Sequence, residues 1–383
     1  MPLLTNIPLS LYVHIPWCVR KCPYCDFNSH AVKEGIPEKI YVDALLQDLE
    51  ENLSRLDGRP LGTIFFGGGT PSLFSAQAIE AILSGIQTKL PLTSDIEITL
   101  EANPGTLEQA RFKDYRSIGV NRLSIGIQSL DNIQLQKLGR IHDREAAIRA
   151  VKTAQDSGFD NLNIDLMYGL PQQSITAALQ DLEQALELKA PHFSWYQLTL
   201  EPNTAFYHTQ PPLPTEDAIW EMQTQGQGVL TSQGLKQYEV SAYSHLQHEC
   251  RHNLNYWQFG DYLGIGAGAH SKITDLQQQK IQRHWQVKNP RDYLDSHKKK
   301  TAQTIEVGSQ DAIFEFMLNA LRLTEGVPLR LFEERTGIAT ANIKPLLQIA
   351  HDKKLLIDED LMLKPSELGK RFLNNLVSLF LPE

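Results

Sequence analysis

Three closely spaced cysteines near the amino terminus constrain this chain more than any other feature of its sequence. Cys18, Cys22 and Cys25 stand at C-x3-C-x2-C spacing, directly after the run Leu9–Ile15. That run is rich in β-branched and aromatic residues, which favour a strand. Prolines stand just before the first cysteine and between the second and third, where they interrupt regular structure. The pattern therefore predicts a strand that ends in a tight loop carrying three thiols.

The three thiols predict an iron–sulfur cluster, because thiolate sulfur is the ligand that such clusters use. Three ligands leave one iron of a four-iron cluster open, and an open position allows a metal centre to bind a small molecule. A structural zinc site is one alternative, but it needs four ligands, commonly as two C-x2-C pairs. The remaining cysteine, Cys250, is far along the chain, and there is no second pair. The other alternative is that the cysteines bind no metal.

The cysteine motif resembles the C-x3-C-x-aromatic-C signature of the radical S-adenosylmethionine (SAM) superfamily, with Tyr24 as the aromatic residue. The longer stretch Leu11–Phe27 is similar to the HemN/HemW group, which comprises oxygen-independent coproporphyrinogen dehydrogenase and a related heme chaperone. The resemblance implies a [4Fe-4S] cluster on the three cysteines and SAM on the open iron. Phe27 stands where the dehydrogenase has a further cysteine, and the segment before the motif is shorter. Both departures favour the HemW branch.

Short apolar runs alternate with segments of helical periodicity up to Leu198, which predicts an α/β fold with a parallel sheet and helices outside. The predicted strands are Leu9–His14, Gly62–Phe66, Asp95–Glu101, Asn121–Gln128, Asn161–Leu166 and His192–Leu198. The predicted helices between them are Lys39–Arg55, Ala76–Lys89, Leu107–Ile118, Arg144–Asp156 and Ser174–Leu188. The resemblance implies that these units form a partial (β/α)6 TIM-type barrel.

Glycine and polar residues collect just after the predicted strands, where the loops of a parallel sheet bind ligands. The triple glycine at 67–69 lacks the spacing of a P-loop or a dinucleotide fingerprint. Glycine lets the backbone approach a ligand closely, although a sharp turn alone would also explain it. The resemblance assigns SAM contacts to Tyr12, Tyr24, Gly68, Gly69, Thr70, Glu101, Gln128, Arg140 and Asp165. An ordinary polar network is the alternative for the last three. His142 is a candidate for a position next to these residues, without direct contact with SAM.

A second informative stretch resembles the HNxxYW element of the HemW branch, which is associated with heme. Its residues are His252, Asn253, Tyr256 and Trp257. An imidazole can ligate heme iron, and aromatic rings can cover a porphyrin face. The alternative is a structural turn with a hydrogen-bonded histidine and two core aromatics. The neighbouring Cys250 is either another possible iron ligand or a small buried hydrophobe. The glycine-rich Leu263–Ser271 matches a family loop that closes over SAM, and a tight connection is the alternative.

Two domains are expected, at residues 1–295 and 300–383. Predicted helices at 311–323, 329–335, 340–352 and 366–380, with a hairpin from short strands at 355–357 and 361–363, are typical of a winged-helix unit. Such units often bind DNA. Few lysines or arginines lie on the 340–352 helix and the net charge of the chain is −9, so the sequence favours partner docking and argues against a nucleic-acid partner.

The sequence shows no signal peptide and no apolar run long enough for a membrane span, so we expect a cytoplasmic protein, where free thiols persist. The resemblance implies heme-accepting partners such as respiratory hemoproteins, an electron donor for the cluster, and a monomer or dimer with transient membrane association. Three hypotheses follow: a heme chaperone, a coproporphyrinogen III dehydrogenase, and a redox or nucleic-acid-binding module with a cluster. The resemblance favours the first.

Overall fold

A large mixed sheet organises the part of the chain that the computed structural model describes, which is residues 4, 7–105, 109–359 and 361–382. The strands of this sheet, in chain order, are β1 Leu9–Ile15, β4 Leu61–Gly68, β5 Leu92–Ala102, β6 Arg122–Gln128, β7 Asn161–Tyr168, β8 His192–Gln197, β9 Lys236–Glu239, β10 Ala242–Ser244, β11 Asp261–Ile265, β12 His270–Asp275, β13 Lys280–Gln286 and β14 Thr301–Glu306. The short strands β2 Trp17–Cys18 and β3 His30–Ala31 form a separate pair in the cysteine loop.

Six consecutive parallel strands, β1 and β4 to β8, form the centre of the sheet in chain order. They confirm the predicted α/β fold with a partial six-stranded barrel, and each lies within a few residues of its predicted bounds. Burial is nearly continuous along these strands; all of β6 is buried, for example. Continuous burial is expected where helices cover one face and side chains fill the other.

The sheet continues past β1 in a way that the sequence did not predict. Strand β11 pairs with β1 in parallel, with Leu263 opposite Leu11, and β12, β13 and β14 then add antiparallel strands. Strand β14, which the predicted division between residues 295 and 300 assigns to the second domain, is therefore an edge strand of the large sheet. The turn between β11 and β12 carries the glycine-rich stretch to the edge where the cysteine loop lies.

The helices lie close to their predicted positions, and hydroxyl or carboxylate caps explain several of the boundaries. In chain order they are α1 Glu38–Asn52, α2 Ala76–Lys89, α3 Phe112–Ser117, α4 Asn132–Lys137, α5 Arg144–Asp156, α6 Ile175–Leu186, α7 Ala205–Thr209, α8 Glu216–Ser232, α9 Arg251–Trp257 and α10 Pro290–Leu294. Ser75, Asp143 and Ser174 each accept a first-turn N–H. The start predicted at Leu107 lies outside the described residues.

The carboxyl-terminal unit has its own core, in which Phe316 and Phe332 pack edge to face at 5.3 Å. Its elements are α11 Ser309–Ala320, β15 Val327–Pro328, α12 Arg330–Thr336, α13 Lys344–Asp352, β16 Met362–Leu363, α14 Glu367–Arg371 and α15 Leu373–Ser378. The predicted hairpin is reduced to one antiparallel bridge, between Leu356 and Pro365, with the Ile357 N–H donating to Lys364 O at 3.0 Å. Strand β16 pairs with β15. The single predicted last helix is wrong, because the chain leaves helical geometry at Phe372.

Candidate functional site

The cysteine loop is fixed to the strand ends by backbone hydrogen bonds. The N–H groups of Gly69 and Thr70 donate to Ile15 O and Trp17 O, both at 2.8 Å. Within the loop the Cys25 N–H donates to Cys22 O at 3.2 Å. Cys18 is buried, whereas Cys22 and Cys25 are half-buried and free of disulfides. The loop thus presents thiols at the carboxyl edge of the sheet, as the sequence predicts.

The arrangement of the thiols is compatible with a cluster. Within the described ranges, no group of three or more histidine, cysteine or acidic side chains converges on one metal-ion position. A cubane cluster does not need such convergence, because each thiolate binds a different iron, whereas a structural zinc site does. Burial raises the pKa of the Cys18 thiol, and a hydrogen bond from Thr70 opposes this effect.

The triple glycine is required by its surroundings. A Cβ at Gly69 would lie 2.5 Å from Trp17 O, and the backbone cannot yield there. Gly68 has a φ of +116°, which side-chain-bearing residues rarely adopt, and a Cβ on it would lie 2.5 Å from the His14 ring. The Gly68 N–H donates to Glu101 Oε2 at 3.2 Å. The turn alternative and the ligand prediction are therefore both consistent with this loop.

A cavity of about 280 Å³, here called the narrow cavity, opens beside the thiols. It collects side chains from the ends of β4, β5, β6, β7 and β8. All the predicted SAM contacts except Tyr12 line it together with the three cysteines: Cys18, Cys22, Tyr24, Cys25, Gly68, Gly69, Thr70, Glu101, Gln128, Arg140 and Asp165. Residues that are scattered over the sequence thus meet at one place.

Arg140 links the thiol side of the narrow cavity to the strand ends. Its Nη1 donates to Cys22 Sγ at 3.6 Å, and its Nη2 donates to Asn103 Oδ1 and Gly126 O, both at 2.6 Å. Burial lowers the pKa of this guanidinium, but Tyr24 and Cys22 beside it outweigh that effect, so its pKa is raised. A permanent positive charge at this position can pair with a ligand carboxylate.

Two carboxyl groups form the floor of the narrow cavity. Burial raises the pKa of Glu101 to about 8, and repulsion from Asp165 adds to this. Burial likewise raises the pKa of Asp165, although Asn163 donates to it at 2.7 Å. Near neutral pH the Glu101 carboxyl therefore holds its proton until a cation approaches, at which point it can ionise and accept a hydrogen bond.

Several residues of the narrow cavity were not predicted as site residues, among them Asn103, Ser124 and Tyr196. Tyr196 donates to Gln128 Oε1 at 2.6 Å, and Gln128 has a φ of +71°. A non-glycine residue in this left-handed region is uncommon, and such strain is concentrated at functional sites. Asn103 could have been found, because it stands two positions after Glu101 in the strand-end sequence. Tyr196 could not, because it reads as an ordinary strand residue.

A second cavity of about 650 Å³, here called the wide cavity, adjoins the first and shares Cys25, Phe27, Gly68 and Glu101 with it. Tyr12 lies here rather than in the narrow cavity, and its hydroxyl is 3.0 Å from His14 Nδ1. The glycine-rich loop also borders the wide cavity, through Gly268, Ala269 and His270, and is absent from the wall of the narrow one. The expectation that this loop closes over the narrow cavity is thus not met in this conformation.

The predicted heme element is divided by the structure. Tyr256 lines the wide cavity, but Trp257 points toward the carboxyl-terminal core, with the Arg322 guanidinium 4.3 Å above its ring. His252 is buried: Thr63 Oγ1 is 2.7 Å from its Nδ1, its Nε2 has no partner within the described chain, and Phe65 stacks on it at 4.9 Å. Burial lowers the pKa of His252 to about 3. Asn253 is half-buried.

Two further residues of interest lie outside both cavities. Cys250 is buried at the start of α9, with Sγ 3.8 Å from Glu97 Oε1, and burial raises its pKa to about 12. It therefore behaves as a buried thiol, as the sequence favoured. His142 is buried with Nε2 3.0 Å from Ile127 O, behind the wall formed by β6.

Comparison with protein families gives two matches. Residues 12–185 match the Radical SAM superfamily, and residues 308–372 match the HemN C-terminal domain. The first range contains all three cysteines and all the residues predicted to contact SAM. The second covers most of the unit with the separate core.

No helix in the described part of the chain is long and apolar enough to cross a membrane.

Several relatives are similar to the chain along nearly its whole length. A protein of Escherichia coli (strain K12) described as "Heme chaperone HemW" is 49% identical over 376 residues, covering 98% of this chain and 99% of that protein. One of Bacillus subtilis (strain 168), described in the same words, is 33% identical over 380 residues, with 98% and 99% covered. Mouse "Radical S-adenosyl methionine domain-containing protein 1, mitochondrial" is 41% identical over 270 residues, with 69% and 61% covered.

Among solved structures, the E. coli radical SAM enzyme coproporphyrinogen III oxidase (HemN) has a similar fold. It superposes with a TM-score of 0.82 over 98% of this chain and 90% of that one, at 23% sequence identity. Identity this low shows a common fold and leaves the activity open, because one fold hosts many functions.

Proposed function

The chain belongs to the HemW family of radical SAM proteins, and from this we propose that it is a heme chaperone. It binds a [4Fe-4S] cluster through Cys18, Cys22 and Cys25, SAM beside the cluster, and heme, which it delivers to an acceptor protein. The observation that carries this proposal is the narrow cavity, whose wall combines the three thiols with strand-end groups suited to an amino acid and a ribose. The full-length similarity to heme chaperones supports the choice of cargo.

The chemistry of the wall fits SAM. When bound, the cluster and SAM together supply one-electron chemistry at the sulfonium. The Arg140 guanidinium suits the SAM carboxylate, and the Glu101 carboxyl suits a cationic group, since its proton leaves when positive charge approaches. Asp165 suits the ribose hydroxyls, because a carboxylate accepts hydrogen bonds from both.

Heme binding is proposed on the family resemblance of His252, Asn253, Tyr256 and Trp257. Of these, Tyr256 has immediate access to a cavity. His252 would have to leave its contacts with Thr63 and Phe65 before it could reach iron. We therefore assign this element a supporting role beside the heme, without direct ligation of the iron.

The remaining features concern partners. Residues 1–295 form the proposed cofactor-binding core and 300–383 the proposed docking domain. The acceptor is a hemoprotein, an external protein donates the electron for the cluster, and no nucleic acid takes part. Oligomeric state can be read from sedimentation of the cluster-loaded protein, with monomer or dimer expected.

The direct test is anaerobic reconstitution of the cluster, followed by parallel incubations with heme and with coproporphyrinogen III plus SAM and a reductant. We expect heme to bind near one per chain and no vinyl product to form. Vinyl product without bound heme would instead identify an oxygen-independent coproporphyrinogen III dehydrogenase. An intact cluster with neither heme nor SAM bound would leave only a redox module.

A further inference from the structure

The proposed SAM site does not account for the wide cavity. Its volume of about 650 Å³ lies in the range of pockets for large organic ligands, roughly 300–1,000 Å³. Its wall combines aromatic rings from Tyr12, Phe27, Tyr256 and Tyr262 with lysines and histidines. Phe27 is 61% exposed, and an exposed ring at a cavity edge is available to a flat apolar ligand. The wall thus suits a planar molecule with a polar rim.

The charges of the wide cavity favour an anionic rim on that ligand. Lys21 and Lys288 are its cations, and Asp26 and Glu101 are its acids. Because burial raises the pKa of Glu101 to about 8, that residue is largely neutral near pH 7. Lys288 is exposed, and its carbonyl oxygen accepts from Asn28 Nδ2 at 2.8 Å, which holds this segment at the cysteine loop. The net charge of the wall is positive.

Three histidines line the wide cavity, and they differ in whether a ring nitrogen is free. His14 is held at both nitrogens, by Tyr12 Oη at 3.0 Å and Asn28 O at 2.9 Å. His30 Nε2 is 3.3 Å from Asn28 Oδ1, and a hydrogen bond to Lys288 O holds the ring as well. The His270 ring, in contrast, makes no hydrogen bond to the described residues, and its nearest aromatic neighbour is Trp285 at 5.7 Å, edge to face.

His270 is also held at a defined place. It begins β12, directly after the glycine-rich turn, and pairs in register with Trp285. The turn is anchored from α1, because the Ala267 N–H donates to Tyr41 Oη at 2.9 Å and the Gly266 N–H donates to Asp48 Oδ2 at 3.1 Å. Burial, together with Lys288 and Arg283 nearby, lowers the pKa of His270, so the imidazole is neutral and has a lone pair to donate.

We propose that the wide cavity is the seat of the heme and that His270, not His252, is the protein ligand of its iron, with Lys288 facing the propionates. This inference rests on the proposed function, since it names the place and the ligand of the heme. A neutral imidazole on the open side of the cavity can bind iron without rearrangement. His252 would first have to lose its Thr63 contact and displace Tyr256, which lies edge to face with it at 5.1 Å.

The test compares heme with metal-free protoporphyrin IX, which has the same ring and carboxylates but no iron. Both are titrated into cluster-loaded wild type and the variants His270→Ala and His297→Ala, the latter an exposed histidine outside the wide cavity. We expect His270→Ala to weaken heme binding at least tenfold and to shift the Soret band, while protoporphyrin IX binds within twofold of wild type. Lys288→Gln should weaken both ligands by a similar factor. His297→Ala should change neither.

Two outcomes would overturn the inference. One is an unchanged heme affinity and Soret band in His270→Ala. The other is loss of the iron signature in His252→Phe, with cluster content and circular dichroism retained, while His270→Ala keeps it. Failure of the wild type to bind heme at all would contradict the proposed function instead. The experiment therefore distinguishes failure of the His270 assignment from failure of the proposed function.

Discussion

The two cavities share one wall but are built differently. The narrow cavity is formed almost entirely by the ends of consecutive parallel strands and the loops that follow them, whereas the wide cavity joins the cysteine loop to the distant β11–β12 turn. The narrow one concentrates charge, with Arg140 bonded to Cys22 and two carboxyls on its floor. The wide cavity is more open, and aromatic side chains line its wall. Under the proposed assignments, chemistry on a small polar cofactor and storage of a large flat cargo are separated within one molecule.

The largest effect is expected from removing one thiol. Cys22→Ala should abolish assembly of a complete [4Fe-4S] cluster, because two remaining thiolates cannot hold it. Iron and sulfide content and the visible absorbance of the reconstituted protein measure this. Cys250→Ala is the control, since that thiol is buried away from both cavities, and should retain the cluster. Full cluster content in Cys22→Ala would contradict the assignment. Retained heme binding in this variant would support separate sites for the cluster and for the heme.

The next effect concerns the glycine loop. In Gly69→Ala the new Cβ would meet Trp17 O at 2.5 Å, so the loop must move away from the thiols. We expect SAM binding to fall by more than tenfold and the free energy of unfolding to drop by about 1–3 kcal/mol, as for other overpacked sites.

Gly62→Ala is the matched control, because its Cβ would meet nothing closer than Leu9 O at 3.8 Å. Equilibrium binding of SAM and chemical denaturation of both variants give the two quantities. Equal behaviour of the two alanine variants would show that the close approach at Gly69 does not matter.

A smaller change is expected for Arg140→Gln. The substitution removes the positive charge beside Cys22 and keeps a donor for Asn103. Since hydrogen bonds to charged groups contribute about 1.5–3 kcal/mol, the dissociation constant of SAM should rise roughly tenfold or more. Arg149→Gln on α5, an exposed position, should leave it unchanged. A change of less than twofold in Arg140→Gln would place the SAM carboxylate elsewhere.

The smallest effect is a pH dependence of stability. The folded pKa of Glu101 is raised to about 8, against about 4.3 in an unfolded chain. Between these values the folded state binds more protons than the unfolded one, so this residue makes stability fall as the pH rises from about 4.3 to 8. The Glu101→Gln variant has no carboxyl group at this position, so it does not lose this part of the stability as the pH rises.

We therefore expect Glu101→Gln to gain a few degrees in melting temperature over the wild type at pH 8.5, and little at pH 5. The measurement is thermal unfolding of the cluster-free protein at both pH values. Glu80→Gln, at an exposed position of α2, is the control and should show no such difference. A gain of equal size at both pH values would mean that Glu101 acts by packing alone.

The strand pattern predicted that polar residues would meet at the carboxyl edge of the sheet, and the family resemblance supplied the individual residues that line the narrow cavity. The bounds of α2 and α5 were predicted to the residue, since Ser75 and Asp143 mark the starts. The wide cavity was not predicted, because it depends on β11 pairing with β1 across most of the chain, and no local pattern encodes that pairing. The burial of His252 matches the alternative of a structural, hydrogen-bonded histidine. Its neighbours Thr63 and Phe65 could not be predicted, because they lie on a distant strand.

Native mass spectrometry under anaerobic conditions, on protein loaded with cluster, SAM and heme, tests the division between the two cavities most directly. The account predicts one species that carries one [4Fe-4S] cluster, one SAM and one heme together, and loss of the heme alone in His270→Ala. Mutually exclusive binding of SAM and heme would contradict it, because both ligands would then compete for one cavity.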